Sequence, residues 1–261
     1  MGLLQEIQHL WTKIDPRVID LPLIQFSYHV PLMIFAYLYL VLECGPRFMK
    51  NRRPYLLKTF IKLYNIIKIV ANIWLVYDHI DAGLFTNSNL TCPASLDYSY
   101  DYTPMRNCKG AWYFFLLKIL DFVETGIFLL RKRNNQVSGL HLYHHVSALL
   151  LAWLVVRYIA VGPASLNCVI NSFIHVITYI YYFLAACGPN VKKSIAPMKQ
   201  WIIKAQLVQL VIMILYNSQN FLPGCKVVEH YWIDIIIIGY LMMNFYLFYN
   251  FYQKAKPKRK I

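Results

Sequence analysis

The chain has 261 residues, 58% of them hydrophobic and 16% aromatic, with only 15% charged. That apolar share exceeds the roughly 45–50% of soluble domains, and stretches near 20 apolar residues recur, which excludes a soluble globular protein and indicates an all-α, polytopic membrane protein. The formal net charge is +14, but the basic residues lie between apolar spans rather than along one stripe, so the lipid bilayer is the expected partner and nucleic acid is not.

Residues 1–20 carry scattered charges and no compact apolar run, so no cleavable signal peptide is expected. Met1-Gly2 opens like a myristoylation site, but Glu6 stands where Ser or Thr is needed. Seven spans follow within a single transmembrane domain covering 1–261, at about 26–45, 60–82, 111–130, 140–159, 164–187, 200–222 and 230–252. Positive charge alternates across the loops. Arg47, Lys50, Arg52, Arg53 and Lys58 separate spans one and two, Arg131, Lys132 and Arg133 separate three and four, and Lys192, Lys193 and Lys199 separate five and six. Lys254, Lys256, Lys258, Arg259 and Lys260 follow span seven, while the other loops are poor in Lys and Arg. The positive-inside rule then places the N-terminus in the lumen and the C-terminus in the cytosol; an even number of spans breaks the alternation.

The second loop holds the sequon Asn89-Leu90-Thr91, a glycosylation candidate that requires luminal exposure. It also holds Cys92 and Cys108, and a later loop of the same side holds Cys225. An oxidising lumen permits either Cys92–Cys225 or Cys92–Cys108, and sequence alone does not choose. The ending Lys258-Arg259-Lys260-Ile261 has the form of a dibasic endoplasmic-reticulum retrieval signal or of an ordinary positive-inside tail.

Polar residues inside the spans carry the chemistry, because each isolated charge costs about 2.5–3.5 kcal/mol at a helix centre and demands a partner. Lys62, Asn65, Lys68 and Asn72 of span two and Asn244 of span seven are less readable, and snorkelling to the cytosolic surface is the simple reading of Lys62 and Lys68. Span three carries Lys118, Asp121, Glu124 and Thr125; Lys118, Asp121 and Thr125 share a face. They form either an internal Lys118–Asp121 fastener or a carboxylate that orients an imidazole. Span four opens with His141-Leu142-Tyr143-His144-His145, three imidazoles at i, i+3 and i+4. Span five carries Asn171, His175, Tyr179 and Tyr182 as one stripe. Span six carries Gln206 and Gln209 on one face, preceded by Lys204, as cavity groups or as interhelical hydrogen-bond partners. By span direction Asp121, His144 and Gln206 lie in the cytosolic half with His175 near the middle, so they can converge on one cavity.

A histidine run admits metal chemistry, as in membrane desaturases and hydroxylases, or a single zinc at His141 and His145. No resident metal is expected, since His9, His29, His79, His175 and His230 form no second box. A seven-helix transporter or receptor whose polar stripe lines a ligand path is a further alternative.

Read together, these motifs resemble the fatty acid elongase family, the very-long-chain 3-oxoacyl-CoA synthases. His141-Leu142-Tyr143-His144-His145 matches the family's H-x-x-H-H. The family's K-x-x-E-x-x-D-T aligns with Lys118 to Thr125, with the two acids exchanged at Asp121 and Glu124. H-x-x-M-Y-x-Y-Y aligns with His175 to Tyr182, where Thr178 replaces Met, and T-x-x-Q-x-x-Q aligns with Ile203 to Gln209, which lacks the Thr. The resemblance implies an endoplasmic-reticulum acyltransferase without a bound cofactor, joining long-chain acyl-CoA and malonyl-CoA with loss of carbon dioxide. It implies an acyl tunnel inside a ring of six helices with span one outside. For that reaction we expect His144 to take the acyl group, with His141, His145, Lys118 and Asp121 or Glu124 in support; a ternary mechanism, in which the histidines act only as acid, base or oxyanion donor, is the alternative. His175, Asn171 and the Gln pair then stabilise the malonyl-derived enolate, beside Tyr179 and Tyr182. Basic residues at the cytosolic mouth, Arg52, Arg53, Arg131, Lys132, Lys199, Lys204 and Lys254, are candidates for the CoA phosphates. Other enzymes of the elongation cycle and a second copy of the chain are the expected protein partners.

Overall fold

In hydrocarbon every backbone N–H and C=O must find its partner within the segment, so apolar runs of this length fold as helices. The computed structural model describes residues 14–85, 99–159, 163–223, 225 and 231–255, and no strand occurs among them. The long helices are α1 (His29–Met49), α2 (Lys58–Asp81), α3 (Tyr102–Leu130), α4 (Gly139–Tyr158), α5 (Pro163–Cys187), α6 (Met198–Ser218) and α7 (Tyr231–Ala255). Six of them are long and apolar enough to cross a membrane. The exception is α3, whose 29 residues include Arg106, Lys109, Lys118, Asp121 and Glu124. By length and apolarity the count among the described residues is therefore six rather than seven, and α3 begins nearer to 102 than to the expected 111.

Local chemistry sets several boundaries. Ser138 caps α4, its hydroxyl accepting the His141 N–H at 3.2 Å, so the histidine run occupies the first turns of that helix. α2 ends at Gly83, whose φ of 90° suits glycine, with Gly83 N–H bonded to the Ile80 carbonyl and Leu84 N–H to that of His79. α3 ends in the same motif around Lys132 at φ 53°, with Lys132 N–H on Leu129 and Arg133 N–H on Phe128. α1 widens to a π-helical turn over Leu40–Cys44, just before Gly45. A side chain at Gly45 would lie 2.8 Å from the Leu40 carbonyl and 2.9 Å from Leu129 of α3, so the two helices approach closely there.

Six helices close into a ring. Neighbours follow the order α2, α3, α4, α7, α6, α5 and back to α2, while α1 lies outside against α3 and α4. Much of the interface of α1 is an apolar cluster in which Val30 and Ile34 meet Phe115, Leu149 and Trp153. At one end of the bundle the basic loops come together: Tyr55 N–H bonds the Leu130 carbonyl, and Lys132 reaches that of Lys50. At the opposite end, residues 14–25 fold across α3 and α4. Val18 and Ile24 are fully buried in the α1–α3–α4 core, Arg157 donates to the Ile24 carbonyl at 2.8 Å, and Trp112 donates to that of Pro22 at 3.1 Å. At this end Arg106 also pairs with Asp78 at 2.8 Å and Asp81 at 2.6 Å, tying the start of α3 to the end of α2.

Cys225 is disulfide-bonded, and Cys108 is a buried free thiol, which removes the Cys92–Cys108 pairing. Cys92, Asn89, His9, His230 and the basic tail beyond Ala255 lie outside the described residues.

Candidate active site

A buried polar layer crosses the ring below the basic end. Lys68 of α2 meets Asp121 of α3 at 2.5 Å, with side chains 1% and 4% exposed. The same carboxylate oxygen accepts the Tyr179 hydroxyl at 2.9 Å, and Lys68 also donates to the Leu117 carbonyl at 3.0 Å. Lys118 lies 3.9 Å from the other Asp121 oxygen but donates to Asn171 Oδ1 at 2.7 Å and to His175 Nε2 at 3.3 Å. One carboxylate thus draws two lysines and a phenol to a single point, and the second lysine hands the polarity on to α5. Lys68 does not snorkel, because a buried carboxylate within reach is a better partner than distant water.

The histidine run faces this layer. His141 Nε2 shares a 2.8 Å hydrogen bond with Thr125 Oγ1, which in turn shares one of 2.8 Å with the Tyr37 hydroxyl of α1. Helix α1, outside the ring, therefore reaches the site through Thr125. His145 Nε2 lies 3.9 Å from Glu124 Oε2, and the His141 and His145 rings pack edge to face at 4.1 Å. His144 packs edge to face on Phe248 at 5.6 Å, and among the described residues no side chain hydrogen-bonds or ion-pairs its ring. The expected carboxylate–imidazole contact is thus nearest at Glu124–His145, whereas Asp121 serves lysines and a tyrosine.

Two cavities meet at His144. The first is the more polar of the two and is lined by His144, Asn171, His175, Gln206, Gln209 and Asn244, with Ile174, Leu210 and Phe248 among others. The second is mainly apolar and leads toward the opposite end, past Ala148, Leu151, Val155, Cys168, Met213 and Ile237. His144, Asn171, Met213, Tyr240 and Leu241 belong to both. Their walls come from α3, α4, α5, α6 and α7, with α2 behind the polar layer. Such an arrangement holds a polar reacting group beside an extended apolar tail.

Of the residues singled out from sequence, Lys118, Asp121, Glu124, His141, His144, His145, Asn171, His175 and Tyr179 share this layer, and Gln206 and Gln209 line the polar cavity. Tyr182 packs edge to face on Tyr179 at 6.0 Å but is 39% exposed. Lys204 lies exposed over the Trp201 ring at 4.6 Å and lines neither cavity. Sequence reading missed Tyr37, placed Lys68 at the surface, and did not mark Asn167, Asn217, Asn220 or Asp234, which line the far end of the apolar cavity. Asn and Asp inside an apolar span were the available signal for these last four. No group of three or more His, Cys, Asp or Glu among the described residues is arranged to hold a metal ion.

Fold and site together define a multi-pass helical membrane protein with a histidine cluster buried at the junction of a polar and an apolar cavity. Comparison with known proteins gives the family. The model of the ELO (GNS1/SUR4) family matches residues 22–260. The chain is 32% identical over 248 residues to very long chain fatty acid elongase 7 of Drosophila melanogaster, covering 95% of this chain and 74% of that protein. It is 33% identical over 252 residues to very long chain fatty acid elongase 4 of Mus musculus, covering 95% and 79%, and 32% identical over 253 residues to elongase 1 of Homo sapiens, covering 97% and 90%. The chain belongs to the very long chain fatty acid elongase family.

Proposed function

We propose that this protein catalyses the carbon–carbon bond-forming step of fatty acid elongation, as a 3-oxoacyl-CoA synthase, through an acyl-imidazole on His144. The observation that carries this reading is the position of His144: its ring stands at the meeting point of the two cavities, and it is the one imidazole of the cluster without a polar side-chain partner among the described residues. A nucleophile must be free to attack, and His141, His145 and His175 each have a neighbouring polar group.

In the first step a His144 nitrogen attacks the acyl-CoA thioester carbon, the carbon–sulfur bond breaks, and the imidazole proton passes to the departing thiolate, giving free CoA. The apolar cavity takes the tail. In the second step malonyl-CoA loses carbon dioxide in the polar cavity, and the electron pair left behind forms an enolate. Donors lining that site, Asn171, His175 and the Gln206–Gln209 pair, suit the developing oxyanion. The enolate carbon attacks the acyl carbon, expels the imidazole, and yields 3-oxoacyl-CoA; the imidazole regains a proton from solvent. Lys118, held between Asn171, His175 and Asp121, supplies positive charge to the same region.

The basic end is read as cytosolic, where CoA substrates are found, and the endoplasmic reticulum as the resident membrane. A direct test incubates purified protein with labelled long-chain acyl-CoA, first alone and then with malonyl-CoA. The expected results are a covalent acyl-enzyme seen by intact-protein mass spectrometry, then a product two carbons longer. In His144→Ala both should vanish; an acyl-enzyme that persists would remove His144 as the nucleophile.

A further inference from the structure

The apolar cavity that begins at His144 does not end in apolar residues. At the end away from the basic loops its lining turns polar, with Asn167 of α5, Asn217 of α6, Asn220 in the 3-10 turn after α6, and Asp234 of α7. Asn217, Asn220 and Asp234 are 2%, 3% and 2% exposed. Most of their hydrogen-bonding capacity is used internally. Asn167 and Asn217 exchange amide hydrogen bonds of 3.0 and 3.1 Å, Asn217 also donates to the Met213 carbonyl at 2.6 Å, and Asn220 Nδ2 donates to Asp234 Oδ1 at 2.9 Å. One buried acceptor is left over: Asn220 Oδ1 has no partner among the described residues. A polar cup with an unpaired acceptor, at the far end of an apolar cavity, is a costly arrangement unless something donates to it.

We propose that this cup recognises the distal end of the acyl chain, and that the preferred substrates are long-chain acyl-CoAs bearing a hydroxyl on the terminal carbon. The inference rests on the condensation reading above, which anchors the thioester carbon at His144. Along α4 the lining runs from His144 to Ile159, a rise of about 22 Å at 1.5 Å per residue. That matches an extended chain of roughly eighteen carbons, so the terminal atom of such a chain arrives at the cup. There a hydroxyl donates to Asn220 Oδ1, whereas a methyl group leaves that acceptor buried and unpaired. A site built around a hydrogen bond discriminates against the analogue that lacks it, here by about tenfold. A terminal carboxylate fits worse, because the cup holds Asp234 and, among the described residues, no lysine or arginine.

The test uses the full-length protein in detergent and matched pairs of acyl-CoAs, each with and without a terminal hydroxyl, from twelve to twenty carbons. Both thermal stabilisation without malonyl-CoA and extension with it are measured. The expected result is a hydroxyl preference in both readouts that peaks near the length reaching the cup and disappears for chains several carbons shorter. In Asn220→Leu the ratio between paired ligands should fall about tenfold at the peak length. A wild-type ratio that is flat, or below one, at every length overturns the proposal, as does a peak that survives Asn220→Leu. Absence of extension for every substrate would count against the condensation reading instead, with the cup still judged by the stabilisation ratio.

Discussion

Three of the four imidazoles in the site have a polar neighbour, and the difference between them and His144 is one of freedom to react. Thr125 holds His141, and Tyr37 holds Thr125, so the orientation of His141 is set by a chain of two hydroxyls reaching in from α1. Thr125→Val keeps the shape and removes the hydrogen bonds; the expected outcome is a fall in kcat of about tenfold with little change in KM, measured with a saturating acyl-CoA. The Lys68–Asp121 pair is structural in a stricter sense. Lys68→Met strands a buried carboxylate and should destabilise the protein by about 3 kcal/mol, while the double change Lys68→Met with Asp121→Asn should recover much of that, read as unfolding temperatures in one detergent. No recovery in the double variant would show that the two side chains do not act as a pair. From sequence, Lys118, Asp121 and the histidines were legible because an ionisable residue in an apolar span is conspicuous. The role of Lys68 was not, because a mid-helix lysine looks the same whether it bends to the surface or to a carboxylate on another helix.

Single elements owe their limits to a few residues whose local chemistry is strong. Ser138 fixes where α4 begins, and hence the depth of the histidine run; Ser138→Ala should cost about 1 kcal/mol in stability. The packing of α2 on α3 depends on Gly110. A side chain there would lie 2.7 Å from the His79 ring, which is 1% exposed and tied to the Leu75 carbonyl at 2.8 Å. Gly110→Ala should therefore destabilise by about 1–3 kcal/mol, by thermal unfolding, unless His79 is truncated at the same time. Helix α3 shows why hydropathy alone undercounts. Its charges disqualify it as an apolar span, yet Asp78, Asp81, Lys68, Asn171 and His175 supply partners that let it stand in the ring.

For the molecule as a whole, the ring and its two unlike ends turn a set of helices into a candidate enzyme with a direction. If the basic end faces the cytosol, the exposed thiol of Cys187 at the end of α5 should react with a membrane-impermeant maleimide in intact microsomes. Buried Cys108 and Cys168 should stay unlabelled until the protein is denatured. Labelling of Cys187 only after permeabilisation would invert the assignment. Sequence alone determined the membrane class, the approximate spans, the family motifs and the face that each motif occupies, because these follow from composition and from the helical period, which are local properties. Tertiary structure decided which helices are neighbours, that α1 stays outside yet reaches Thr125, that Lys68 turns inward, and that two cavities meet at His144. These are contacts between residues far apart in the chain. No local pattern encodes them, since the energy of a buried charge or a lined cavity depends on what the other helices bring to the same place.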